Sequence, residues 1–111
     1  MKTYLPLLML LLVTGCSEKS EQPVAVVDPL IAEGEQIVKA NCKVCHAQGI
    51  NGAPILGSQK MWQERSQQPK SVLIQHATEG FGLMPAKGGN EQLTEQDITA
   101  AVSYMLSLLE K

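Results

Sequence analysis

The sequence of 111 residues has few aromatic side chains: one tryptophan, two tyrosines and one phenylalanine. A small domain depends on bulky apolar side chains for its core, so this chain needs another source of buried apolar surface. Convincing alternation of apolar and polar residues is also missing, which excludes a half-buried sheet as the main architecture. We therefore expect a helical domain that is wrapped round a ligand.

Neither sign of charge dominates, because the chain has 9 basic and 11 acidic residues and a formal net charge of −2. A protein that binds nucleic acid needs a strongly basic face, and this composition supplies none. Nucleic acid is therefore excluded as a partner.

The N-terminus has the pattern of an export signal. Met1 and Lys2 give a positive start, and Leu5 to Val13 form an apolar stretch too short to span a bilayer as a mature helix. The run Val13-Thr14-Gly15-Cys16 resembles the bacterial lipobox, in which the cysteine becomes the lipid-modified first residue after cleavage. We expect residues 1–15 to be a cleaved lipoprotein signal peptide and Cys16 to carry the lipid. The alternative is an ordinary secretory signal that leaves Cys16 as a spare thiol.

The next segment is expected to connect the lipid to the folded domain. Ser17, in the second mature position, resembles the pattern of lipoproteins sent to the outer membrane, so we expect the domain on the periplasmic side of that membrane. Residues 16–28 comprise the lipidated cysteine and a stretch without clear periodicity, which we interpret as a flexible tether. Residues 29–111 then form the working domain.

Helical signals recur through the working domain. Asp28-Pro29 predicts a helix start, and Gly34 lies on the apolar face of that helix, where close approach by the last helix would explain it. Thr94 with Asp97 resembles a capping box for the last helix, whose apolar stripe comprises Ile98, Ala101, Val102, Met105 and Leu109. The predicted helices run from about Pro29 to Asn41, around Lys60 to Arg65, from about Pro69 to Glu79, and to about Leu109, and glycines preclude regular structure from Gly80 to Gly89.

The sequence Cys42-Lys43-Val44-Cys45-His46 is the attachment motif for c-type haem. Two cysteines three residues apart on a helical turn project to the same side, so both sulfurs can bond to vinyl groups along one edge of a porphyrin. His46 is then held beneath the ring, where it can give a nitrogen to the iron.

Two other interpretations of the cysteine pair are weaker. A zinc site needs a second pair of ligands, and the remaining candidates are Cys16, which is assigned to the anchor, and His76. A thioredoxin-like dithiol should follow a strand in a βαβ unit, which the sequence does not contain.

A second axial ligand must come from far enough along the chain to reach the opposite face of the ring. Met84 is the candidate, because it lies in the loop Gly80 to Pro85, where glycines allow close approach of the backbone. Met105 fits a core position on the last helix, and Met61 is a weaker competitor because it is close to His46 in sequence.

Further motifs follow one another along the chain: Gly34, Cys42 to Ala47, Gly52-Ala53-Pro54, Trp62 with Arg65, Ala77 with Gly80, Met84 to Gly89, and Tyr104-Met105. With these motifs, the chain from about Asp28 to Leu109 resembles the monohaem class I cytochromes c, and among them the small bacterial cytochrome c-five type. This resemblance implies an all-α fold of three to four helices and long loops round one covalent haem c. It also implies that His46 and Met84 are the axial ligands and that the Pro54 carbonyl accepts the other nitrogen of His46.

The roles of three polar side chains stay open. Trp62 and Arg65 could contact a haem propionate, or could be a packed indole and a solvated arginine. For His76 we favour a surface histidine over a competing ligand.

These features predict an electron carrier and not an enzyme, because both axial positions of the iron are filled. We expect a monomer that exchanges single electrons with redox protein partners in transient encounters. The alternatives are a haem-based sensor or peroxidatic enzyme whose methionine leaves the iron, and a thiol oxidoreductase.

Overall fold

The computed structural model describes residues 26–110, in which helices are joined by long loops. A first helical rod comprises α1 (Pro29–Ile37), a π-helical segment (Val38–Cys42) and α2 (Lys43–His46). The others are α3 (Gln59–Trp62), α4 (Lys70–Glu79) and α5 (Glu95–Ser107), with 3₁₀ turns at Ile50–Gly52, Arg65–Gln67 and Ala86–Gly89. Within residues 26–110 there is no strand, and the expected all-α class of three to four helices is confirmed.

The first rod begins as the sequence predicts but continues further. The Asp28 carboxylate accepts a hydrogen bond of 2.9 Å from Leu30 N, and Pro29 occupies the first helical position. The predicted end near Asn41 is wrong, because helical structure passes through a π turn and carries the cysteine motif to His46. A π turn holds one more residue than an α turn, and single π turns are frequent at functional sites.

Gly34 lies where α1 crosses α5, as the sequence analysis expected. A Cβ atom there would clash with the Ala100 carbonyl oxygen, and it would lie 2.6 Å from the carbonyl carbon and 2.8 Å from Tyr104 Cβ. Only glycine lets the two backbones approach this closely. The crossing therefore fixes the rod that carries the cysteine motif against the last helix.

Helix α5 is capped and buried as predicted. Thr94 N donates to Asp97 Oδ2 at 2.7 Å, and Asp97 N donates to Thr94 Oγ1 at 3.2 Å, which forms a complete capping box. The predicted stripe residues Ile98, Ala101, Val102 and Met105 are buried, and Leu109 packs partly buried against the cluster that contains Ala101 and Met105.

Two smaller expectations need correction. The short helix predicted around Lys60 to Arg65 is α3, which starts earlier because Ser58 caps it, and it is followed by a separate 3₁₀ turn. The glycine-rich stretch from Gly80 to Gly89 does contain local order, since Phe81 and Met84 pair their backbones and a 3₁₀ turn follows.

In the described part of the chain, no helix combines the length and the hydropathy needed to cross a membrane. The expected signal peptide, Cys16 and the tether up to residue 25 lie outside the described residues.

Candidate functional site

One cavity of about 200 Å³ brings together most of the side chains that the sequence singled out. Cys42, Cys45, His46 and Met84 all line it, although up to 42 residues separate them in sequence. The last helix contributes Ile98, Ala101, Val102 and Met105 to the wall. A cavity of roughly 150 Å³ already holds a benzene molecule in a protein core, so this one has room for an apolar ligand. Two thiols, an imidazole and a thioether on mainly apolar walls fit a covalently held haem.

His46 is held at two atoms by its surroundings. It is 7% exposed, and its Nδ1 donates to the Pro54 carbonyl at 2.9 Å. Its carbonyl accepts from Leu56 N, also at 2.9 Å. The Pro54 bond is the one that the family resemblance implies, and it leaves Nε2 as the ring nitrogen available to a metal.

Trp62 also holds this loop through a hydrogen bond. Its Nε1 donates to the Ile55 carbonyl at 2.8 Å, and the indole is 5% exposed. The Trp62 ring lies 6.5 Å from the His46 ring, centroid to centroid. Trp62 also lines the cavity, and in this structure the Ile55 carbonyl uses the single donor of the indole. Arg65 lines the cavity while its Nη1 donates to the Met61 carbonyl at 2.7 Å.

The two motif cysteines share the cavity and are not joined to each other. Burial raises the pKa of the Cys42 thiol, and the neighbouring Cys45 adds to the effect. A reactive dithiol needs the opposite shift, because the thiolate is the nucleophile. Among residues 26–110, moreover, no group of three or more His, Cys, Asp or Glu side chains could hold a metal ion such as zinc.

Met84 lies in a tight loop closed by its own backbone. Phe81 N donates to Met84 O at 3.0 Å, and Met84 N donates to Phe81 O at 2.9 Å. Gly80 at φ +89° precedes this pair, and a Cβ atom there would lie 3.0 Å from Met84 O. The loop therefore requires glycine for its conformation and for its close packing.

The described methionines on the cavity wall are Met84 and Met105. Met105 is 6% exposed in the core cluster that also contains Val38, Trp62 and Ala101, so it has the core position expected of it. Met61, the weaker competitor, directs its backbone carbonyl to Arg65 and is not among the lining residues.

Three side chains at the mouth of the cavity are both apolar and exposed: Ile50 (41%), Phe81 (59%) and Leu83 (73%). We call them the rim. His76 stacks on the Phe81 ring at 4.1 Å between centroids and 18° between planes. His76 thus lines the cavity beside the rim. The sequence favours a surface histidine without such a place.

Sequence reasoning missed a pair of asparagines. Asn90 Nδ2 donates to Asn41 Oδ1 at 2.7 Å, although 49 residues separate them. Asn41 could have been noticed, because its amide lies on the apolar face of the first helix, next to Cys42, where a polar group requires a partner. Nothing in the sequence identifies Asn90 as that partner.

Residues 29–105 match the family model described as cytochrome c oxidase, cbb3-type, subunit III. The cytochrome c-555 of Prosthecochloris aestuarii is 38% identical over 85 residues, which cover 69% of this chain and 86% of the relative. The cytochrome c6 of Microcystis aeruginosa is 34% identical over 82 residues, which cover 71% and 98%.

The fold is also similar to that of a solved structure. A chain from the crystal structure of an electron transfer complex of nitrite reductase with cytochrome c matches with a TM-score of 0.67 and 35% identity. The match covers 74% of this chain and 96% of that chain.

Proposed function

This chain belongs to the cytochrome c family, among the small monohaem class I members that carry one covalent haem c, and we propose that it is a membrane-anchored electron carrier of the periplasm. Its cysteines fit the attachment motif of that family. The observation that carries the proposal is the shared cavity of Cys42, Cys45, His46 and Met84.

Haem held in this cavity supplies an iron that changes by one electron. Cys42 and Cys45 would hold it by thioether bonds, and His46 Nε2 and Met84 Sδ would be its axial ligands. Support for His46 comes from its ring, which Pro54 fixes in one tautomer. Support for Met84 comes from its loop, whose paired backbone keeps the side chain at the cavity wall.

With His46 and Met84 both on the iron, there would be no open position for a substrate, which favours a carrier over a catalyst. Met84 would supply a soft thioether, which would favour ferrous iron and raise the reduction potential relative to two histidines. The apolar walls from α5 reinforce this preference, because a low dielectric disfavours the additional positive charge of ferric iron.

Redox partner proteins are expected to bind at the rim. The structural relative comes from an electron transfer complex with nitrite reductase. We propose that the partners of this chain are also redox proteins and that they bind it transiently. Exposed Ile50, Phe81 and Leu83 offer a small apolar surface at the cavity mouth, which suits a brief contact.

The lipid is proposed to keep the domain at the membrane. The lipobox-like run that ends at Cys16 supports this, and Ser17 supports the outer membrane. The carrier is proposed to act as a monomer.

The absorption spectrum of protein matured in a cytochrome-c-competent periplasm tests the function. A low-spin, six-coordinate haem in both oxidation states is the result expected for a carrier. A high-spin ferric haem would indicate the sensor or peroxidatic alternative, and a chain without haem would indicate a dithiol.

A further inference from the structure

The segment that follows Met84 is tied to the rod that carries the cysteine motif. Asn41 Nδ2 donates to the Ile37 carbonyl at 3.0 Å, while Asn41 Oδ1 accepts from Asn90 Nδ2 at 2.7 Å. Asn90 Oδ1 in turn accepts from Gln92 N at 3.1 Å. Each amide thus uses both its oxygen and its nitrogen, and the pair bridges the two parts of the site.

The same segment contains backbone that needs an external restraint. Lys87 has φ +53°, in the left-handed region that costs a side-chain-bearing residue about 1 kcal/mol. Gly88 follows at φ +62° and packs near the backbone of Asn41, whose carbonyl oxygen would lie 3.6 Å from a Cβ there. A strained turn persists only where its surroundings hold it.

The position of the amide pair links it to both sides of the site. Asn41 directly precedes Cys42 and lines the cavity, while Asn90 lies six residues after Met84. The other end of the methionine loop is held by the stack of Phe81 on His76 and by the Phe81–Met84 backbone pair. Without the amide pair, the exit of the loop would lose a side-chain bond to the rod.

We propose that Asn41 and Asn90 are positioning residues, whose amide pair holds the methionine loop closed and so keeps Met84 on the iron. This inference rests on the proposed role of Met84 as a ligand. The pair favours the closed site over a form that admits added ligands, since an added ligand must wait for Met84 to leave.

Imidazole binding to the ferric protein tests the inference, because imidazole competes with Met84 for the iron. Asn90→Ala removes both bonds of the Asn90 amide. Asn90→Asp keeps an oxygen for Gln92 N but places an acceptor against Asn41 Oδ1. Gln92→Ala and Gln92→Glu are the matched controls, because they make the same changes two residues away at an exposed side chain.

Both Asn90 variants should bind imidazole about fivefold more tightly than wild type, the factor that corresponds to one net hydrogen bond that favours the closed form. Both Gln92 variants should match wild type. In a double-mutant cycle, Asn41→Ala should add little once Asn90 is alanine, because the two residues share one bond. The midpoint of chemical unfolding is measured beside these affinities, since a merely structural role would lower that midpoint without changing imidazole affinity.

If the wild-type spectrum shows methionine ligation, unchanged imidazole affinity in both Asn90 variants would overturn this inference and leave the proposed function standing. Tighter binding in Asn90→Ala but not in Asn90→Asp would also overturn it, because the turn at Gln92 would then matter and not the amide pair. A wild-type protein without a methionine ligand would overturn the proposed function, and this inference with it.

Discussion

At the scale of single residues, the loop of residues 54–56 holds the proposed proximal ligand. His46 contacts this loop through Nδ1 and through its own carbonyl, and Trp62 contacts it through Nε1. The histidine is therefore fixed before any metal binds, which is what a ligand in a site with small reorganisation requires. Met84 is held differently, by the backbone of its own loop.

Met84→Ala should leave haem attached, because thioether bonds require only Cys42 and Cys45. The reduction potential should fall, and the iron should open to added ligands, because the soft sixth ligand is lost. Potentiometry and imidazole titration measure both effects.

Met61→Ala is the control, since Met61 is the other methionine that the sequence left in competition. It should keep the wild-type potential. If Met61→Ala produced the changes and Met84→Ala did not, the ligand assignment would be wrong.

At the scale of elements, local signals predicted the helix starts and missed the irregular turn. Asp28-Pro29 and Thr94 with Asp97 act through neighbours in sequence, so their caps could be identified directly. The π segment contacts α5 and the 3₁₀ turn that follows Met84, and no local pattern encodes such distant neighbours. The partnership of Asn41 and Asn90 was missed for the same reason, because 49 residues separate the two amides.

The capping box of α5 should make stability depend on pH. Hydrogen bonds from the Thr94 backbone and then from its side chain hold the pKa of Asp97 below its usual range. A lowered pKa in the folded state means that the stabilisation is complete above the unfolded pKa of about 4 and is lost as pH falls through the folded pKa. Wild type should therefore be more stable than Asp97→Asn at neutral pH, and the difference should shrink below about pH 4.

Glu95→Gln is the matched control, because it removes one negative charge from the same first turn of α5. Urea unfolding at several pH values should show a smaller loss for Glu95→Gln than for Asp97→Asn. Equal losses at every pH would mean that the helix dipole, and not the capping box, accounts for the effect.

At the scale of the whole molecule, charge is unevenly placed. The chain carries a formal net charge of −2, yet the charged side chains on the described cavity wall are Arg65 and Lys87, with no carboxylate among the described lining residues. The exposed rim residues are apolar. Docking at this mouth should therefore depend more on apolar contact than on long-range attraction.

Electron exchange with the natural partner should consequently fall only modestly as ionic strength rises. Stopped-flow rates over a range of salt concentrations measure this. A steep decline that Lys87→Glu abolishes would show that electrostatic steering dominates.

The proposed anchor should bring the domain to its membrane-bound partners and leave the haem site unchanged. Twelve residues from Ser17 to Asp28 would give a flexible coil a reach of about 20 Å and a stretched limit of about 40 Å. A tether of this reach would keep the domain close to the membrane surface, which raises the effective concentration of membrane partners without any new contact. A Cys16→Ser protein exported by an ordinary signal should be soluble, with unchanged spectrum and potential and slower exchange with membrane-bound partners.

Fractionation, redox titration and respiration-linked reoxidation compare the two forms. A shifted potential in the soluble form would mean that the tether packs on the haem domain. Equally fast reoxidation would show that the lipid does not act by confinement.

One-electron transfer at an iron with both axial positions filled is tested most directly by an equilibrium redox titration of the matured protein. Absorption spectra are recorded at each potential. The expected result is a single transition with a slope of about 59 mV per decade and a low-spin haem throughout. A slope for more than one electron, or a high-spin haem in either oxidation state, would contradict a closed-site electron carrier.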